Sequence, residues 1–224
     1  MMTDVESPES PGRRGHSAMV RKILVPALAG GLAGFGTAFA VGRMTDGDGM
    51  LSALSVSATL ALVAGALYLV MALGVLAGAL RPGIGARYLN VEDAEELREM
   101  RAMLVNSCIA MGLWGTGLAL LALAAPGPVP APAALAVGLG GIALGGVFAW
   151  RSWRASDELM AAVTHDANAL TAILAFALLG GWGALAHGGV LRAPAPLDIL
   201  TAFFALGLVA TFIVVARRGM VRMQ

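Results

Sequence analysis

Charge is scarce in this chain. Only 13% of its 224 residues are Asp, Glu, Lys or Arg, while 58% are hydrophobic and the mean hydropathy is +0.79. Soluble domains are typically about 25% charged. A soluble core holding this much apolar surface would still leave extended apolar patches outside. The composition therefore excludes an ordinary soluble domain and names lipid as the main solvent. Cysteine is nearly absent: Cys108 stands alone inside an apolar run, so a disulfide is excluded and a small packed thiol is expected. Metal-site spacings such as HxxxH, CxxC and HExxH are missing, as is the GxSxG of a nucleophile elbow. The middle of each long apolar run contains no ionisable side chain. Proton pumps, ion-coupled carriers and intramembrane proteases need such groups at depth. No catalytic residue, metal or cofactor is assigned on these grounds, and the chain is read as not an enzyme. A net charge of +1 says little about nucleic acid, and no such partner is expected.

What the chain has instead is six long apolar stretches, near residues 23–42, 51–80, 102–125, 132–150, 168–188 and 197–216. A hydrocarbon core about 30 Å thick needs roughly 20 apolar residues rising 1.5 Å each. Lipid-facing strands would alternate in polarity every second residue, whereas these runs are apolar all round, so they are expected to be helices. The predicted fold is all-α: a six-span transmembrane bundle over residues 22–224, preceded by a tail at 1–21 rich in Pro, Ser and charge with no apolar period.

The basic residues sort by side. Arg13, Arg14, Arg21, Lys22, Arg81, Arg87, Arg98, Arg101, Arg151, Arg154, Arg217, Arg218 and Arg222 fall on one side of this threading, and only Arg43 and Arg192 on the other. The positive-inside rule then places both termini in the cytoplasm. A competing reading treats Arg21, Lys22, the first apolar stretch and "AFA" at 38–40 as a cleaved secretory signal. The stretch is longer than a usual signal core, which favours retention.

Spans three and five share a pattern 68 residues apart: "GLWG" at 112–115 matches "GGWG" at 180–183, and "APGP" at 125–128 matches "APAP" at 193–196. Two readings stay open, a duplicated hairpin or the ordinary preference of Trp and Pro for membrane boundaries. Parallel repeats occur in transporters with a substrate site at the repeat interface.

Acidic residues concentrate before the third span, where Glu92, Asp93, Glu95, Glu96 and Glu99 occupy eight positions. Asn90 is placed to cap a helix starting at Val91, with Asp93 reaching back to it. No Gly or Pro interrupts the sequence until Gly112, so a helical extension at 91–101 is expected to run into the span. Ser156 is expected to cap a second extension at 157–167, bearing Asp157 and Glu158, which continues into span five. These carboxylates either solvate helix ends or form a docking surface for a cytoplasmic protein. His165 and Asp166 lack the ligand set of a metal site. Asn106, Thr171 and Tyr68 are the main polar side chains within the spans, and neighbouring helices are expected to satisfy them.

Gly30 and Gly34, Gly74 and Gly78, and Gly141 and Gly145 are each four apart, the spacing that lets helix backbones approach in lipid. They are assigned to helix packing, within the bundle or across a homodimer. The phrases "RYLNVEDAEELREMR", "DELMAAVTHDANALT" and "FIVVARRGM" resemble small polytopic inner-membrane proteins of alphaproteobacteria with no assigned activity. The resemblance covers residues 81–224 and implies a bacterial inner-membrane location without catalytic residues to carry over. Two functions follow as expectations: a regulatory or interaction protein that docks a cytoplasmic partner on its acidic extensions, or a small transporter for a neutral or apolar solute with a site between the Trp-containing hairpins.

Overall fold

The computed structural model describes residues 34–44, 51–80, 98–124 and 127–220. Helix α1 covers residues 34–44, and it is followed by α2 (Val56–Leu80), α3 (Arg101–Ala122), α4 (Ala131–Arg154), α5 (Glu158–His187) and α6 (Pro196–Arg217). Among the described residues there is no strand, only an isolated bridge between Ala124 and Val129. The protein is all-α, and α2 to α6 are five helices long and apolar enough to cross a membrane. The tail at 1–21, most of the first expected span and residues 91–97 of the acidic extension lie outside the described residues.

Local chemistry sets the helix ends. The second span starts at Val56 rather than 51, because Leu51–Leu54 close a turn (Leu54 N–H to Leu51 C=O, 3.1 Å) and the Ser55 hydroxyl accepts the Ala58 N–H at 3.2 Å. A hydroxyl at that position satisfies one of the first-turn donors that a helix leaves open. The expected cap of α5, Ser156, is displaced by one residue: Asp157 accepts the Met160 N–H at 2.7 Å, and Ser156 donates back to the Ser152 carbonyl. Pro130 and Pro132 open α4, and Pro196 opens α6, where the Asp198 carboxylate accepts the Ala195 N–H at 2.8 Å. Glycine ends α5 and α6. Gly189 (φ 75°) and Gly219 (φ 74°) occupy the left-handed region. Val190 N–H reaches Leu185 C=O at 2.9 Å and Met220 N–H reaches Val215 C=O at 3.2 Å, closing Schellman-type caps. Met100 (φ −75°, ψ −6°) joins helical residues 98–99 to α3.

The helices pack as two bodies. In the first, α3 runs antiparallel between α2 and α4 and touches both along their length. A Cβ added at Gly115 would lie 2.6 Å from the Gly65 carbonyl oxygen, and one at Gly65 would lie 2.7 Å from the Gly115 oxygen. Gly117 and Gly138 face each other across α3 and α4 in the same way, an added Cβ lying 2.8 and 3.2 Å from the opposite carbonyl oxygen. In lipid, where apolar surface gains nothing by leaving solvent, such backbone approach is a main source of association. The second body is the α5–α6 hairpin, held by Val163, Ala167 and Val214. The bodies meet at an aromatic cluster of Tyr68, Trp114 and Phe204, whose rings stand edge to face, and the Tyr68 hydroxyl donates to the Phe204 carbonyl at 3.0 Å.

Candidate functional site

A cleft of about 800 Å³ lies between the α3–α4 and α5–α6 hairpins, a size typical of small-molecule sites. Its origin is geometric. Only Ala155, Ser156 and Asp157 link α4 to α5, so the two helices begin side by side, yet they make little further contact. They therefore part beyond the link, and the gap between them is the cleft. Its α3 wall runs from Met103 to Trp114, about 16 Å at 1.5 Å per residue.

The lining is mostly apolar. Met103, Met111 and Met160, with Trp114, Trp150 and Trp153, supply its bulk. Among the described residues no Asp, Glu, Lys or Arg lines it, and His165 is the one ionisable group there. The polar remainder is Ser107, Ser152, Ser156, Thr164, Asn168 and Thr211. Ser107 and Ser152 face each other across the α3–α4 contact at 2.7 Å, and Ser152 also donates to the Met103 carbonyl at 2.9 Å. A serine has one proton, so Ser107 is the donor of the pair. Trp114 is held in place by its N–H bond to the Ile142 carbonyl at 3.1 Å and by Gly145, where an added Cβ would sit 2.6 Å from the indole.

The acidic residues lie apart from this lining. Glu99, Asp157 and Glu158 are exposed at the same end of the bundle, near the α4–α5 link, and Asp157 is engaged as a cap. Glu92, Asp93, Glu95 and Glu96 are outside the described residues. Asp166 pairs with Arg218, joining the start of α5 to the end of α6. Among the described residues, no three His, Cys, Asp or Glu side chains gather as a metal ion would require.

The packing glycines divide. Gly145 meets Trp114, and Gly141 has ordinary contact with the Leu113 carbonyl at 3.4 Å. Gly34 and Gly74 have no described atom within 4 Å of an added Cβ. Gly78 is half-buried, and Gly30 lies outside the described residues. The closest approaches run through Gly65, Gly115, Gly117 and Gly138, which do not pair four apart within one helix. Of Asn106, Thr171 and Tyr68, the three expected to be satisfied by neighbouring helices, Tyr68 alone is shown bonding to another helix. Asn106 and Thr171 bond to carbonyls of their own helices, Ala102 and Ala167, because a side chain one turn along finds that acceptor first.

The cleft itself escapes sequence reading, because Ser107 and Ser152 are 45 positions apart and meet only once α3 and α4 are paired. No protein-family model, curated protein or solved structure matches this chain.

Proposed function

We propose that this chain is a non-enzymatic, multi-pass protein of a bacterial inner membrane that binds a neutral, mainly apolar small molecule, as a small transporter would. The observation that supports this best is the cleft between the two hairpins, about 800 Å³ in volume, whose described lining residues include no carboxylate, lysine or arginine. A charged solute would have to shed its hydration there without a counter-charge, at a cost of several kcal/mol. A neutral one faces no such penalty. The test is photolabelling of the protein in lipid nanodiscs with a neutral diazirine-bearing alkane. Saturable labelling at Met103, Met111 or Met160, reduced by Ala169→Trp on the open wall, is the expected result. Non-saturable labelling spread over outward residues such as Phe176 and Phe212 would remove the reading.

A second function rests on a different observation. Glu99, Asp157 and Glu158 are exposed together at one end of the bundle, which suits docking of a cytoplasmic protein. Changing Glu92, Glu95 and Glu96 to Gln keeps helix propensity nearly constant. It should release a salt-sensitive partner from membrane pull-downs if docking is the role. Equal recovery of every copurifying protein would reject it.

Both readings place residues 98–101, 151–154 and 217–218 in the cytoplasm. The proposed orientation has both termini inside, as the thirteen-to-two split of basic residues suggests. A cysteine at Val129 or Pro194 should then react with an impermeant reagent outside the cell, and a reporter after Gln224 should stay inside. Protection of both cysteines would invert the model.

A further inference from the structure

We infer that the ligand of the cleft is a single-chain amphiphile with a neutral hydrogen-bond donor, in the chemical class of a long-chain alcohol, and that Ser107 accepts its proton. This rests on the solute-binding reading and narrows it. The reason lies in where the hydroxyl protons of the lining go. Ser107 donates to Ser152, Ser152 to the Met103 carbonyl, Ser156 to the Ser152 carbonyl, Thr164 to the Met160 carbonyl and Thr211 to the Gly207 carbonyl. Each hydroxyl has a single proton and two lone pairs. All five protons are taken, so toward the cleft these groups present acceptors only.

An ether, ester or ketone can only accept, so it can use the Asn168 amide but gains nothing from the five hydroxyls. Among the described lining residues a carboxylate or phosphate finds neither lysine nor arginine, and an ammonium finds no carboxylate. An alcohol fits on both counts. It can donate to Ser107, which heads the Ser107–Ser152–Met103 chain, and it can accept from the Asn168 amide, which makes no hydrogen bond to any described residue. Its chain has an apolar berth deeper in, against Ala110, Met111 and Trp114. Methionine adapts its shape to a flexible chain better than a branched side chain does. Among the described residues the parting of α4 and α5 opens the cleft at its side, and a long-chain alcohol dissolved in the bilayer would enter there.

The experiment compares three probes in nanodiscs: a diazirine-bearing dodecanol, its methyl ether and the corresponding dodecanoate. Saturable labelling of the α3 segment containing Met111 and Trp114 is quantified by mass spectrometry. The alcohol should label this segment at about fivefold lower concentration than the ether, the range that one neutral hydrogen bond provides. Ser107→Ala should erase the alcohol's advantage, and Ser107→Thr, which keeps a hydroxyl, should retain it. The alcohol and ether comparison on the unmodified protein stands even if Ser107→Ala folds poorly. Equal labelling by alcohol and ether, or preference for dodecanoate, would overturn the inference while leaving solute binding in place. Absence of saturable labelling by all three would overturn both.

Discussion

The α2–α3–α4 body and the α5–α6 hairpin are built from similar apolar, glycine-rich sequence, yet they hold together differently. Of the most apolar stretch of α3, 28% is buried inside the chain, against 6% for α5. Gly65, Gly115, Gly117 and Gly138 stand against facing helices, whereas Gly180, Gly181 and Gly183 of α5 have open space around them. The matched tryptophans part in the same way. Trp114 sits in the aromatic cluster and bonds across to α4, while Trp182 folds over its own helix end to the Arg192 carbonyl at 2.9 Å. A glycine or tryptophan in a span has no fixed role. What faces it decides.

The sharpest way to break this contrast is to add one methyl group to each body. Gly115→Ala places a Cβ 2.6 Å from the Gly65 oxygen and 3.0 Å from the Leu69 side chain. Because the nearest atom is backbone, the helices must separate, at a cost of about 1–3 kcal/mol. Gly180→Ala meets nothing within 4 Å and should be neutral or gain up to about 1 kcal/mol from helix propensity. Thermal unfolding in one detergent reads both. Equal losses would mean that the open face of α5 is covered by something beyond the described residues.

Next in size is Val163→Ala, which removes the buried contact of α5 with Val214. It should cost on the order of 1 kcal/mol, and it should loosen the hairpin while leaving the α3–α4 contact intact. Proteolysis at the α5–α6 link is the local readout, and protection equal to wild type would show that the hairpin is held elsewhere. Tyr68→Phe keeps the ring in the cluster and deletes only its bond to the Phe204 carbonyl. Interhelical hydrogen bonds in membranes average about 0.6 kcal/mol, so a small shift is expected. A loss several times larger would mark this bond as the main clasp between the two bodies.

The legible part of this fold was local. The apolar stretches expected at 132–150 and 197–216 and the helical extension expected at 157–167 are short-range readings, and α4, α5 and α6 start or end within a few residues of them. Facing relations were not legible. Counting glycines four apart along one helix selects Gly145, which stands against Trp114, together with Gly74, which meets no described atom, and it passes over the reciprocal pair of Gly65 with Gly115 on different helices. No period in a single helix reports its partner's position. The lone Ser107 likewise shows no function until Ser152 stands beside it. Most of the acidic extension lies outside the described residues, so its role still rests on composition.

The smallest effect is expected at the Asp166–Arg218 ion pair that ties α5 to the end of α6. Asp166 is exposed, and an exposed pair gains little over two hydrated charges while it must hold two side chains in one geometry. Val163, Ala167 and Val214 sit directly beneath it and are buried, so the hairpin should stay closed without the pair. Asp166→Asn is therefore expected to leave the unfolding temperature within experimental scatter at 1 M salt, where the Debye length is about 3 Å. Any measurable loss should appear only at low salt. Arg218→Gln should behave in the same way, and the two changes together should cost no more than either alone, as expected when one interaction is removed twice. A salt-independent loss as large as that of Val163→Ala would reverse the assignment. The charged end, and not the apolar face of α5, would then be what keeps this hairpin together.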